Sequence, residues 1–154
     1  MKRVNKNGGF TLIELLITLS IIAIIVTMAL FIDINSYRGG AFRLEQNSLG
    51  ISLEQARADA LNNINQRKHG VAIHPGGYSG YVIFEGNTYA TRDVSRDEEI
   101  ESFYDVTFST TTPSEIVFEQ LSGNADYDGD LVLIDLIRGM SIVITINHEG
   151  RISW

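Results

Sequence analysis

The sequence from Gly8 to Leu16 reads GGFTLIELL and places a single carboxylate, Glu14, at the start of a long apolar run. The residues that follow it, 15–32, carry no charge. A helix of this length is about 27 Å long, close to the hydrocarbon thickness of a bilayer, so the run predicts a membrane-spanning helix. Because a charge at the bilayer centre costs roughly 2.5–3.5 kcal/mol, Glu14 needs a compensating partner or a position off-centre.

The charges that flank the apolar run predict its orientation. Lys2, Arg3 and Lys6 precede it, and the first acidic residue after it is Asp33. Since basic residues favour the cytoplasmic side of a membrane, we expect a cytoplasmic N-terminus and a body outside. The run is too long for the apolar region of an ordinary signal peptide, and no small-residue cleavage site follows it.

The composition restricts the class of protein. The chain of 154 residues has 19 acidic and 12 basic residues and a formal net charge of −7. Three of the basic residues lie within the first nine positions, which leaves the remainder at −10. A body this acidic repels phosphate backbones, so nucleic acid is not an expected partner. Without cysteines, the redox compartment cannot be inferred.

The stretch GFTLIELLI, residues 9–17, resembles without a gap the signal of type IV pilins and type II secretion pseudopilins, in which a glycine precedes F-T-L-I-E. The resemblance implies a leader peptide of residues 1–9 that a membrane prepilin peptidase removes after Gly9. It also implies N-methylation of the new terminus at Phe10. Further implied partners are other pilin or pseudopilin subunits in a helical filament, an inner-membrane assembly platform and membrane lipid.

Cleavage would give Glu14 a physical purpose. The new α-amine of Phe10 and the carboxylate of Glu14 are at i and i+4, on one face of a helix. Since buried opposite charges are tolerable only when paired, we expect Glu14 to pair with its own terminus or with that of a neighbouring subunit. The alternative is an ordinary single-pass anchor with an incidental glutamate.

The pattern beyond the membrane segment, residues 10–32, predicts that the helix continues over residues 33–69. An apolar stripe recurs at helical spacing in Leu49, Leu53, Ala56, Ala60 and Ile64, which predicts packing against the following domain. Polar residues lie mostly off this stripe: Glu45, Gln46, Glu54, Arg57, Asp59 and Asn62. Glycines at 39, 40 and 50 could bend the helix, and Gly70 is the expected stop.

Residues 70–154 predict an antiparallel β domain, and the chain is therefore expected to be α+β, with a long N-terminal helix packed on the sheet. Alternating segments separated by turn residues carry this prediction. The expected strands are 71–74, 80–85, 88–91, 100–109, 114–120, 130–137, 141–147 and 151–154. Of these, 80–85 and 88–91 are expected to form a hairpin across Gly86 and Asn87.

The body is also similar, more weakly, to the GspH/FimT-type pseudopilins and minor pilins. The matching segments are 55–60 (QARADA), 80–84 (GYVIF), 117–118 with Gly123, 144–146 (ITI) and 150–152 (GRI). This resemblance favours a minor subunit of the filament over the bulk subunit.

Residues 124–129, NADYDG, resemble the first half of a calcium-binding loop. Asn124, Asp126 and Asp128 are the candidate ligands, and position 12 of such a loop would be Asp135 in place of the usual glutamate. The alternative is an acidic turn between strands, with no cofactor. Two other features also have alternative interpretations. The charged segment RDVSRDEEIE at residues 92–101 is either a solvated loop or a subunit-docking patch. The aromatic residues of the body are expected in the sheet core rather than on a platform that stacks with nucleic-acid bases.

The sequence therefore predicts a structural protein that is not an enzyme: a minor pilin or pseudopilin of a type IV pilus or type II secretion filament. It is expected in the bacterial inner membrane as a single-pass protein and then in the filament. The alternative is a DNA-binding minor pilin for uptake in natural transformation, for which Arg151 is the one basic candidate near residue 154. Neither a nucleophile elbow nor a phosphate-binding glycine loop is present.

Overall fold

The computed structural model of the protein describes residues 9–30 and 34–154. The chain divides into two units, residues 1–37 and 38–154. The described residues contain an apolar helix, α1 (Leu12–Leu30), and a second helix, α2 (Ile34–Leu61). Antiparallel sheets follow these helices, which confirms the predicted α+β, pilin-like class.

Eight strands lie within residues 62–154. They are β1 (His69–Ile73), β2 (Gly80–Glu85), β3 (Glu98–Glu101), β4 (Thr107–Phe108), β5 (Glu115–Phe118), β6 (Gly129–Asp135), β7 (Met140–Ile146) and β8 (Ile152–Ser153). They form two four-stranded sheets, with strand orders β3-β2-β1-β5 and β4-β6-β7-β8 in this part of the chain. Every pairing is antiparallel.

The predicted stripe of α2 forms the centre of the core. Leu49, Leu53, Ala56 and Ala60 are each fully buried, which confirms the stripe over these positions. They share one cluster with inward-facing residues of both sheets: Val71, Ile73, Tyr81, Ile83, Ile116, Phe118, Leu131, Leu133, Ile144, Ile146 and Ile152. Burying a leucine contributes about 1.5–3 kcal/mol, so tertiary packing stabilises a helix that contains three glycines.

Three strands of the first sheet, β1, β2 and β5, are buried on both faces, whereas the edge strand β3 is mostly exposed. Alternate residues of β1, β2 and β5 face away from α2 and form a second apolar cluster of Ala72, Val82, Phe84 and Val117. Tyr78 and Tyr89 pack against this cluster. The rings of Phe84 and Tyr89 meet edge to face, 5.6 Å apart. Since most of the aromatic side chains pack in or against the two clusters, the expectation of a sheet core is confirmed for them.

The helix ends earlier than Gly70, and the predicted extension is wrong. The α2 helix stops at Leu61, and Gly70 lies inside β1. Ile64, the last member of the predicted stripe, is 42% exposed. The amide of Leu121 donates to the carbonyl oxygen of Ala60 at 2.9 Å, which satisfies a helix-end carbonyl. Asn63 then takes a left-handed conformation with φ of 55°, which asparagine tolerates better than most residues.

Two strand predictions are also wrong. Tyr89–Thr91 is a short 3₁₀ turn, and the strand that pairs with β2 on that side is β3. The segment 100–109 is broken into β3 and β4, which belong to different sheets. At the break the chain crosses from one sheet to the other.

Candidate functional site

The predicted cleavage point lies in non-helical chain directly before α1. Gly9 and Phe10 have no regular secondary structure, and α1 begins at Leu12. The side chain of Phe10 is 88% exposed, and a Cβ built on Gly9 would meet no atom within 4 Å. The Gly9–Phe10 peptide bond is therefore accessible, as a protease substrate must be.

Thr11 and Glu14 close the first turn of α1 with reciprocal hydrogen bonds. The carboxylate Oε2 of Glu14 accepts from the backbone amide and from the hydroxyl of Thr11, both at 2.8 Å. In return, the Thr11 Oγ1 accepts from the backbone amide of Glu14 at 3.3 Å. This is a capping box, which satisfies amides that a helix N-terminus otherwise leaves without partners. Glu14 is thus directed back toward residue 10.

Sequence reasoning missed this local role of Glu14. The signal was present, because T-x-x-E at residues 11–14 is the pattern of a capping box. An acidic side chain in the first turn of a helix also interacts favourably with the helix dipole. Both effects stabilise the helix start and place the charge at the end of the apolar segment rather than in its middle.

The remaining polar side chains of α1 bond to the helix itself. The hydroxyls of Thr18 and Ser20 donate to the carbonyls of Leu15 and Leu16, at 2.9 and 2.8 Å. The hydroxyl of Thr27 lies 2.8 Å from the carbonyl oxygen of Ile24. A hydroxyl bonded in this way exposes no unsatisfied donor to an apolar surrounding. The segment Leu12–Ala29 is long and apolar enough to cross a membrane, with a mean hydropathy of 2.6 and none of it buried.

A second polar cluster surrounds Glu45, which is fully buried. The expectation that this residue lies off the packed face of α2 is wrong. Its Oε1 accepts from the hydroxyls of Tyr81 and Ser102. Its Oε2 accepts from the backbone amides of Phe103 at 2.7 Å and Tyr104 at 3.2 Å. Burial, reinforced by the bond to Glu45 and by its charge, raises the pKa of Tyr81.

The Glu45 cluster explains why the segment 100–109 is broken. The two amides that Glu45 binds belong to the crossover between β3 and β4. Because these two amides bond to a side chain of α2, they do not take part in the hydrogen-bond ladder of either sheet. The cluster joins the helix, the first sheet and the crossover, and this role is structural.

The calcium candidates lie in the turn that precedes β6. The Oδ1 of Asp126 accepts from the backbone amide of Val117 at 2.9 Å, and Asp128 is exposed. Asp135 lies at the far end of β6, roughly 20 Å away at 3.3 Å per residue. Its carboxylate is buried and bonded to the amides of Ile137 and Arg138. Among the described residues there is no group of three or more His, Asp or Glu side chains that could hold a metal ion.

The charged segment at residues 92–101 is partly ordered by its own contacts. Arg92 forms an ion pair with Asp97, with Nε and Oδ2 2.7 Å apart. The guanidinium of Arg92 also lies over the Tyr89 ring, 3.6 Å from its centre. Arg151, the basic candidate for DNA contact, is exposed in the turn before β8. The docking and DNA alternatives stay predictions.

Residues 4–30 match the family model described as the prokaryotic N-terminal methylation motif. The match covers less than one fifth of the chain and includes Gly9, Phe10 and Glu14. It supports a pilin-type protein of the kind that prepilin peptidase processes, a structural rather than an enzymatic class. No curated protein and no solved structure gives a significant match. The similarity of the body to GspH/FimT-type proteins stays a prediction.

Proposed function

We propose that the protein is a minor pilin or pseudopilin, a structural subunit of a type IV pilus or type II secretion filament. It is made with a leader of residues 1–9, which prepilin peptidase removes after Gly9, and Phe10 is then N-methylated. The observation that carries the proposal is the arrangement inside the matched motif. An exposed, non-helical Gly9–Phe10 bond directly precedes a capped apolar helix whose first turn contains a lone acid.

Before assembly, α1 anchors the subunit in the inner membrane. The basic residues of the leader keep the N-terminus in the cytoplasm, and residues 34–154 lie outside. The length and hydropathy of Leu12–Ala29 support this arrangement. In the filament, α1 packs beside the apolar helices of other subunits, and the β domain faces outward.

Glu14 drives docking of the processed subunit through its charge. Its carboxylate is held at the helix start by Thr11, one residue from the α-amine that cleavage creates at Phe10. This amine or that of a neighbouring subunit neutralises the carboxylate. An uncompensated charge in an apolar surrounding is costly, so the paired arrangement favours neighbouring subunits over a solitary helix.

A minor role in the filament is supported by the segments that resemble GspH/FimT-type proteins. Apart from Gly123, which lies outside the strands, they fall in α2, β2, β5, β7 and at the start of β8. They contribute to the main core Ala56, Ala60, Tyr81, Ile83, Phe118, Ile144, Ile146 and Ile152. The resemblance therefore includes core positions of both sheets and of α2. The subunit catalyses nothing in this proposal.

Two substitutions separate the charge of Glu14 from its capping role. Glu14→Gln keeps an acceptor for the Thr11 amide and loses the charge, whereas Thr11→Ala removes the hydroxyl bonds and keeps the charge. We expect Glu14→Gln to insert into the membrane normally and to reduce incorporation into sheared filaments by about tenfold or more, since breaking a buried pair costs several kcal/mol. Thr11→Ala should assemble at close to the wild-type level.

Mass spectrometry of the mature N-terminus tests the processing step. The protein isolated from its host should begin at Phe10 and carry one added methyl group. A chain that still begins at Met1 would overturn the proposal. Normal assembly of Glu14→Gln would overturn the charge-pairing step alone, and equal losses in both variants would assign the effect to the helix start.

A further inference from the structure

The turn between β6 and β7, residues 136–139, presents two large apolar side chains to solvent. Leu136 is 73% exposed and Ile137 is 76% exposed. Tight turns between strands favour Gly, Asn, Asp and Ser, so consecutive Leu and Ile at the tip of a hairpin are not required by the turn. They point to a surface that contacts something apolar.

This β6–β7 turn is held in one conformation. The buried carboxylate of Asp135 accepts from the amides of Ile137 at 2.9 Å and Arg138 at 3.1 Å. Its Oδ2 accepts from the hydroxyl of Tyr104 at 3.1 Å. Gly139, with φ of 63°, donates from its amide to the carbonyl oxygen of Asp135. The apolar tip is therefore preorganised, and little conformational entropy is lost when it binds.

The β6–β7 turn lies at the N-terminal end of α2. A Cβ built on Gly39 would lie 2.8 Å from Nη1 of Arg138, so the arginine side chain rests against this part of the helix. In sequence, Gly39 follows the last residue of α1, Leu30, by nine positions.

The charge around the turn fits a lipid surface. From Leu136 to Ile146 the sequence LIRGMSIVITI contains one charged residue, Arg138, in a chain with more acidic than basic residues. Arg138 is partly exposed, although its Nη1 is buried against Gly39. The segment itself contains no acid, and the exposed Asp105 lies two residues before Thr107, which pairs with Ile134 of β6. Apolar side chains next to a basic residue are the pattern of segments that enter the interface of an anionic bilayer.

We propose that the β6–β7 turn is a second membrane contact, in which Leu136 and Ile137 enter the interfacial region of the outer leaflet while the subunit is stored in the membrane. Arg138 faces the lipid phosphates. The inference rests on the membrane storage described under the proposed function and adds a step to it, since the turn must leave the lipid when the subunit enters a filament.

Because the chain has no cysteine, single-cysteine variants of the full chain test the proposal directly. Ile137→Cys probes the turn and Ile22→Cys probes α1. Leu121→Cys is the matched control, because Leu121 is a 65% exposed leucine in a turn bonded to Ala60, about 30 Å further along α2. Each variant carries an environment-sensitive fluorophore in vesicles of phosphatidylethanolamine and phosphatidylglycerol, with and without brominated lipid as quencher.

We expect brominated lipid to quench the label at 137 at least about twice as strongly as the label at 121, with the emission at 137 shifted to the blue. Equal, weak quenching at 137 and 121 with strong quenching at 22 would overturn this inference and leave membrane storage intact. Absence of quenching at 22 would overturn membrane storage itself. Disulfide-linked dimers of unlabelled Ile137→Cys, formed under oxidising conditions, together with no quenching of the labelled variant, would identify the turn as a contact between subunits and would also overturn the inference.

Discussion

The indole ring of Trp154 lies on the backbone of Gly50, in the space that the Cβ of any other residue would occupy. A Cβ built on Gly50 would lie 2.7 Å from Cδ2 and Cε2 of Trp154. The indole Nε1–H donates to Oδ1 of Asn47 at 3.0 Å. Gly50 lowers the helix propensity of α2, but its missing side chain leaves the space in which the ring of Trp154, the only tryptophan in the sequence, packs.

Gly50→Ala should displace the Trp154 ring. Alanine is a better helix former by about 1 kcal/mol, but its methyl group and the indole ring cannot occupy the same space. We expect the tryptophan emission to shift to the red as the ring moves into water, with little net gain in the free energy of unfolding. Fluorescence and urea denaturation measure the two effects.

Gly40→Ala is the matched control in the same helix. A Cβ on Gly40 would meet no atom within 4 Å, so this variant should gain up to about 1 kcal/mol of stability with unchanged tryptophan emission. An unchanged emission spectrum in Gly50→Ala would show that the ring does not rest on Gly50 in solution.

Glu45→Gln should destabilise the body although it preserves the shape of the side chain. The carboxylate has four hydrogen-bond donors around it, and an amide replaces one accepting oxygen with a donor. Because hydrogen bonds to charged groups contribute about 1.5–3 kcal/mol, we expect a loss of this order in the free energy of unfolding. Glu54→Gln, a half-buried position on the same helix, should change stability by less than about 0.5 kcal/mol.

The Glu45 cluster also shows what sequence patterns could and could not predict. The apolar stripe from Leu49 to Ala60 depends only on helical period, and it was predicted correctly. The burial of Glu45 could not be predicted, since its four donors lie on β2 and on the crossover between β3 and β4, far away in sequence. Similarly, the end of α2 depends on the amide of Leu121, which no pattern near Leu61 contains.

The motif that contains the candidate N-terminal site could be recognised from the sequence because its residues are close together in the chain, while the roles of those residues stay predictions. Gly9, Phe10 and Glu14 lie within six consecutive residues, and their matched motif ends at residue 30. The capping bonds between Thr11 and Glu14 were missed, although the T-x-x-E pattern of residues 11–14 indicates them. The exposed Leu136 and Ile137 were instead assigned to a strand, because alternation along 130–137 does not reveal that Asp135 begins a turn.

Tyr81→Phe should change how stability depends on alkaline pH. The pKa of Tyr81 is raised by burial and by the bond to Glu45, whereas in the unfolded chain it is about 10. The stabilisation is therefore complete below about pH 10 and is lost as the pH rises above it, because only the unfolded chain then releases the proton. Tyr81→Phe should be less stable than wild type at pH 7 by about 1–2 kcal/mol.

The difference between wild type and Tyr81→Phe should shrink steadily above about pH 10. Guanidinium denaturation at several pH values from neutral to alkaline measures it. A difference that stays constant throughout this range would mean that the tyrosine hydroxyl is not held as a buried donor.

Asp126→Asn should stabilise the protein at neutral pH. Partial burial, with smaller contributions from the charges of Glu115 and Glu119, raises the pKa of Asp126, although the Val117 amide opposes the shift. A raised pKa in the folded state means that the contribution of this group is complete below the unfolded value of about 3.9 and is lost as the pH rises through the folded value. Asparagine keeps the acceptor for Val117 and has no charge to bury.

At pH 7 we expect Asp126→Asn to have a higher melting temperature than wild type. The gain in the free energy of unfolding should be no more than a few tenths of a kcal/mol, because solvent still reaches the side chain and screens its charge. The two melting temperatures should converge below about pH 4. A bound calcium ion would have the opposite effect on stability: it would favour the charged carboxylate of Asp126, and wild type would then melt at a higher temperature than Asp126→Asn. We expect calcium to leave both melting temperatures unchanged, because the Oδ1 of Asp126 is already bonded to Val117 and β6 separates it from Asp135. A calcium-dependent rise in wild type that Asp126→Asn lacks would instead establish a metal site at residues 124–128.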